Sequence, residues 1–153
     1  MRGHGGVRRR GFTLVELMVV MVILVLLAAL VLPRLLGRAE DARRSTSITQ
    51  MNILMGALQL YQIDNGGRVP STEQGLKALI EEPTSPPKPK NWKGKYLESD
   101  EVPKDGWGND FQYLSLDDGR SYHLWSFGAD GVEGGEALNA DIRSWERDTW
   151  ANQ

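Results

Sequence analysis

The chain has no cysteine among its 153 residues. That excludes a disulfide framework, a zinc–thiolate site and a cysteine nucleophile. An exported domain built from it must be stabilised some other way. Histidine is nearly absent too: His4 lies close to the N-terminus and His123 stands alone in a segment of strand composition. Ser126 and Asp130 have no Gly-x-Ser-x-Gly context and no nearby histidine, so a hydrolase triad is not supported. A basic surface is also missing. All four charges in residues 1–11 are arginines, and the rest of the chain has 14 basic against 20 acidic residues. No basic patch follows residue 44, which argues against nucleic acid as a partner.

One long apolar run stands out instead. Every residue from 17 to 32 is apolar, and residues 12–32 contain only Thr13 and Glu16 as polar members. As a helix those 21 residues span roughly 30 Å, about one bilayer core. Arg2, Arg8, Arg9 and Arg10 precede it, so the positive-inside rule puts the N-terminus in the cytoplasm and exports the rest, although Arg34, Arg38, Arg43 and Arg44 follow it. Pro33, at its end, is expected to kink or loosen the helix. Three readings compete: a cleaved signal peptide using the Ala28-Ala29 pair, a plain signal anchor, or a leader cut before the apolar run. A plain anchor leaves Glu16 unexplained. An acid costs on the order of 2.5–3.5 kcal/mol near a bilayer centre and less near the interface.

The helix is expected to continue past the membrane to about Asp64. Ala39, Ala42, Ile48, Met51, Met55 and Leu58 recur at helical spacing, Leu54 and Tyr61 widen the face, and Asn65-Gly66-Gly67 ends it. Ser71 to Ile80 reads as a short helix with a Ser71/Gln74 capping box. The segment Pro83-Thr84-Ser85-Pro86-Pro87-Lys88-Pro89-Lys90 reads as a loop and surface spacer. Phe111 to Ser115 and Tyr122 to Phe127 have strand composition, joined by an Asp117-Asp118-Gly119-Arg120 hairpin turn. The expected fold is α+β: a long N-terminal helix, membrane-spanning in its first half, packed against a small antiparallel sheet. The divisions are 1–11, 12–33, 34–64 and 65–153. Four of the five tryptophans fall at 107, 125, 145 and 150, and read as core and interface residues.

The segment Gly128-Ala129-Asp130-Gly131-Val132-Glu133-Gly134-Gly135-Glu136-Ala137-Leu138-Asn139-Ala140-Asp141 is acidic, rich in glycine and loop-like. Calcium favours carboxylate and carbonyl oxygens, and glycine lets carbonyls turn inward. The spacing is not that of an EF-hand. Either a calcium loop or a solvated acidic loop fits it.

Gly11-Phe12-Thr13-Leu14-Val15-Glu16 resembles the type IV prepilin signature: a basic leader ending in glycine, a phenylalanine, and glutamate as fifth residue of the mature chain. Tyr61-Gln62-Ile63-Asp64-Asn65 through Pro70-Ser71-Thr72-Glu73-Gln74-Gly75-Leu76 resembles a run found in the major pseudopilins of type II secretion. So do Asp105-Gly106-Trp107-Gly108, Ser126-Phe127-Gly128-Ala129-Asp130-Gly131 and Asn139-Ala140-Asp141-Ile142. Gly106 departs from the usual proline of its turn, which is expected to loosen it, and Arg143-Ser144 departs from a common Gly-Asn.

The resemblance implies a leader, residues 1–11, cut by prepilin peptidase between Gly11 and Phe12, with N-methylation of Phe12. It implies that Glu16 pairs with the Phe12 amine of a neighbouring subunit. It implies calcium held by Asp130 and Asp141 and by the carbonyls of Phe127 and Val132, with Asn139 and the Leu138 carbonyl as weaker candidates. It implies a non-enzymatic filament subunit, single-pass in the bacterial inner membrane with a periplasmic domain. Its partners would be copies of itself, minor pseudopilins, prepilin peptidase and the inner-membrane assembly platform. Two other readings stay open: a type IV major pilin for adhesion or motility, though those commonly carry a C-terminal cysteine pair, and a signal-anchored periplasmic enzyme or binding domain.

Overall fold

The structure is a computed structural model and describes residues 11–152. The leader residues 1–10 lie outside the described residues, as do the side chains of residues 30–36, 138, 149, 151 and 152. The chain divides into two compact units, one through Arg38 and one from Ala39.

The first unit is helix. α1 covers Leu14–Asp64 and so runs from this unit into the second, continuing through position 33. Thr13 starts it: its hydroxyl accepts a hydrogen bond from the Glu16 amide at 3.2 Å, satisfying one of the donors that a helix N-terminus leaves over. Every side chain from Phe12 to Ala29 is exposed. A helix apolar on all sides has no water-facing stripe and needs an apolar environment. Among the described residues no helix is long and apolar enough to cross a membrane. The span read at residues 12–33 extends beyond Ala29 into positions whose side chains are outside the described residues.

In the second unit α1 buries a stripe at three- and four-residue spacing: Arg44, Ser47, Met51, Leu54, Leu58 and Tyr61, with Ala57 beside it. The apolar face expected to begin at Ala39 and Ala42 begins later, since both are exposed and the polar pair Arg44 and Ser47 takes the buried side there. Ser47 is accommodated because its hydroxyl donates to the Arg43 carbonyl at 2.9 Å and accepts the Gly106 amide at 2.8 Å. Gly106 therefore fastens its turn to α1. The glycine amide makes a bond that proline could not, which works against the expected loosening. An added Cβ there would stand 2.0 Å from the Arg43 carbonyl oxygen. The helix ends with Gly66 at φ 71 and the Gly67 amide bonded to the Gln62 carbonyl at 2.8 Å, a left-handed cap that glycine adopts freely.

The capping pair beyond it forms as expected: the Ser71 amide donates to Gln74 at 3.0 Å and the Gln74 amide to Ser71 at 3.2 Å. The expected short helix is reduced to a single 3-10 turn, Leu76–Leu79, because Gly75 at φ 59 breaks the backbone away from α geometry. The proline-rich loop is pinned by Gln74, whose side-chain amide donates to the carbonyls of Ser85 and Pro87 at 2.8 and 3.0 Å.

Three antiparallel strands form a meander: β1 (Gln112–Leu116), β2 (Ser121–Ser126) and β3 (Ile142–Arg143), in that spatial order. β1 and β2 are joined at Asp117–Gly119, with Tyr113 opposite Leu124. β2 continues the ladder by pairing Ser126 with Ile142. Leu124 and Ile142 join Met51, Leu54, Leu58, Leu79, Leu97 and Phe111 in one core, so the sheet packs on the second half of α1. The fold is the expected α+β arrangement. Trp92, Trp107 and Trp150 pack against this core, and each indole donates a hydrogen bond: to Ala78 O, to a Glu40 carboxylate oxygen and to Arg143 O.

Candidate functional site

Two places carry the residues singled out by the sequence. The first is the start of α1. Gly11 and Phe12 precede the helix; Phe12 is 83% exposed, and a Cβ on Gly11 would meet nothing within 4 Å. Among the described residues nothing therefore sets a steric demand for glycine at position 11. Glu16 lies in the first helical turn, where an acid is favoured by the helix dipole. Thr13 is the residue that sequence reasoning missed here. Its signal was the Thr-x-x-Glu spacing of a capping box.

The second is the loop between β2 and β3. Ser126 is fully buried, donates to Asp105 at 2.7 Å, and accepts the Gly128 amide at 3.2 Å. Asp105 in turn takes the amides of Trp107 and Asn109 at 3.0 and 2.8 Å, so two turns share one buried carboxylate. The loop folds back on Asn139: a Cβ on Gly128 would stand 3.0 Å, and one on Gly135 2.4 Å, from the Asn139 carbonyl oxygen. Both glycines also take positive φ, 70 and 84. Arg44 reaches from α1 to donate to the Ala140 carbonyl at 3.2 Å. Burial lowers the pKa of its guanidinium.

The two carboxylates expected to act together have different surroundings. Asp130 is exposed, and its Oδ1 accepts the Val132 amide at 3.1 Å. Val132 is itself 63% exposed, while Phe127 is half-buried. The Asp141 side chain is 3% exposed. Its Oδ2 takes the Gly134 amide at 3.1 Å and an Arg143 nitrogen at 2.9 Å. Its Oδ1 is buried and has no hydrogen-bond partner among the described residues. A buried carboxylate oxygen left without a donor is costly, and a hard cation is one group that would satisfy it. Asp141 Oδ1 is thus an oxygen of the kind that calcium takes. Among the described residues no three acidic or histidine side chains gather to hold a metal, so any such site must draw on carbonyl oxygens as well. Arg143 was the contributor not foreseen; its pKa is raised, first by the hydrogen bond to Asp141.

His123 is structural. It stacks on Trp145 at 3.9 Å between ring centroids, and Trp145 meets Trp125 edge-on at 6.1 Å.

An exposed apolar helix just after Phe12, running on into a domain whose three-stranded meander packs on its second half, defines a type IV pilin-like fold. A family model for the prokaryotic N-terminal methylation motif matches residues 7–32. The model for type II secretion system protein G matches residues 34–145. The chain belongs to that protein G family. It is 47% identical over 139 residues to type II secretion system core protein G of Vibrio cholerae, covering 90% of this chain and 92% of that one. To core protein G of Pseudomonas aeruginosa it is 45% identical over 140 residues, covering 91% and 96%. The crystal structure of the major pseudopilin of enterohaemorrhagic Escherichia coli superposes with a TM-score of 0.60 at 36% identity, over 74% of this chain and 95% of that one.

Proposed function

We propose that this chain is the major structural subunit of the periplasmic pseudopilus of a type II protein secretion system. Copies assemble into a helical filament that promotes export of folded proteins across the outer membrane. Membership of the protein G family across nearly the whole second unit carries the reading. The subunit acts by assembly and not by catalysis. Its partners are further copies of itself, minor pseudopilins, prepilin peptidase and the inner-membrane assembly platform.

Processing precedes assembly. Prepilin peptidase cuts between Gly11 and Phe12 and methylates the Phe12 amine. The methylation-motif match and the absence of any steric need for glycine at position 11 support this. The chain is anchored once in the inner membrane, with its N-terminus cytoplasmic before processing and its C-terminal domain periplasmic. The basic leader and the all-round apolar, exposed face from Phe12 support that orientation. Glu16 sits in the first turn of the helix and pairs with the Phe12 amine of a neighbouring copy, so that burial of each charge is offset by the other.

Asp130, Asp141 and the carbonyls of Phe127 and Val132 would hold a calcium ion in the loop between β2 and β3. Asp141 Oδ1, buried with no hydrogen-bond partner among the described residues, supports this. When bound, the metal supplies a cross-link between loop segments, in a chain with no cysteine to provide one. The residues on either side hold the loop: Gly134 and Arg143 fix the Asp141 carboxylate, and Arg44 fixes the adjacent carbonyl.

Deleting the gene in its native host tests the function. Secretion of type II substrates should stop while motility persists, and the wild-type chain should restore secretion where a Glu16→Ala chain does not. Loss of motility with intact secretion would instead mark an adhesion or motility pilin.

A further inference from the structure

The Asp141 side chain is buried, and one of its oxygens already has a cation. Arg143 lies two residues along β3 and places a guanidinium nitrogen 2.9 Å from Asp141 Oδ2, while a second nitrogen lies 3.3 Å from Glu146. The guanidinium also lies 5.9 Å from the Trp145 ring centroid. Three neighbours fix its position more firmly than a single surface pair would. A carboxylate as enclosed as Asp141 is destabilised as an anion unless a positive charge stands beside it. Arg143 supplies that charge within the chain itself. The same guanidinium must repel a divalent ion brought to Asp141, because like charges a few ångströms apart interact more strongly beside a buried side chain than in open water.

We infer that Arg143 is a built-in counter-cation for Asp141: it holds the loop between β2 and β3 closed without metal, and it weakens calcium binding there. The chain's dependence on calcium is therefore partial, and Arg143 sets its degree. The inference rests on the calcium reading of Asp141. Arg143 is a positioning residue and is not itself a ligand. Its backbone contributions, the β-ladder pairing with Trp125 and the carbonyl that accepts the Trp150 indole at 3.1 Å, do not depend on its side chain. A side-chain substitution therefore leaves them in place.

The test uses the full-length processed protein in detergent: wild type, Arg143→Gln and Arg143→Lys. Calcium affinity is read by isothermal titration, and the thermal midpoint is read with calcium and with chelator. Arg143→Gln should bind calcium about tenfold more tightly, the scale on which groups adjoining a ligand act. It should also melt lower than wild type in chelator, so that its gap between the two conditions widens. Arg143→Lys keeps the charge and should stay near wild type in both measurements. Equal affinity and an equal gap in wild type and Arg143→Gln would overturn the role of Arg143 while leaving the calcium site standing. No calcium binding by any of the three would overturn the calcium reading and this inference with it. Weaker binding by Arg143→Gln would show that Arg143 supports the site instead of opposing the ion.

Discussion

Gly106 occupies a place where no side chain fits. Its amide is bonded to Ser47 and its α-carbon lies against the backbone of α1 at Arg43. Gly106→Ala should lower the stability of the domain by about 1–3 kcal/mol, the usual cost of forcing atoms into a packed contact. Ser47→Ala should cost about 1–2 kcal/mol for a different reason, since it leaves the Gly106 amide without its acceptor. Because both changes strike one contact, the double variant should lose less than the sum of the two. Urea denaturation midpoints of the four proteins measure this. A fully additive result would mean that the two residues act separately. Nothing in the sequence marked this pair, since they are 59 residues apart and a buried serine has no apolar period to betray it.

At the scale of elements, α1 has two faces that should respond oppositely. Leu58 is fully buried, and Leu58→Ala should cost about 2–5 kcal/mol through lost burial and a cavity. A Cβ added at Gly56 would meet nothing within 4 Å. Gly56→Ala should therefore stabilise the helix by up to about 1 kcal/mol, the propensity difference between the two residues. Denaturant midpoints with opposite signs of shift are the expected result. This face was legible from Met51 to Tyr61, where burial and apolar spacing coincide. It was not legible at Arg44 and Ser47, which are buried where they hydrogen-bond to distant loops, at Ala140 and Gly106. The Ser71/Gln74 cap and the hairpin at Asp117–Gly119 were readable because turn and cap chemistry is local. β3 was not, because two residues carry no period. In the same way, the carboxylates of the loop could be picked out from the sequence. That the Asp141 side chain is buried beside Arg143 while Asp130 is exposed depends on how the loop folds back on Asn139.

For the whole molecule, alkali should be a sharper stress than the bulk charge suggests. Burial pushes the phenol of Tyr113 well above its ordinary range, and Tyr61 and Tyr122 shift the same way for the same first cause. In the folded chain these phenols stay protonated after the unfolded chain has begun to ionise. Their contribution is complete below a pH of about 10 and is lost as pH rises through the folded values. Unfolding free energy should therefore fall between about pH 8 and about pH 11, and Tyr113→Phe should make the fall shallower. At the lower pH that variant should be weaker than wild type, because it loses the 2.7 Å hydrogen bond from the Tyr113 hydroxyl to the Pro70 carbonyl. An equally steep fall in both proteins would place the alkaline sensitivity elsewhere.

On the proposed function the two ends of the chain serve one purpose: a helix made ready for assembly by removal of its leader, and a domain held together by buried polar contacts in place of disulfides. The most direct test is mass spectrometry of the intact protein purified from its native membrane, with sequencing of its N-terminal peptide. The expected chain begins at Phe12 and carries one methyl group on its α-amine. A chain that retains residues 1–11, or one cut after the Ala28-Ala29 pair, would contradict the assignment as a processed filament subunit.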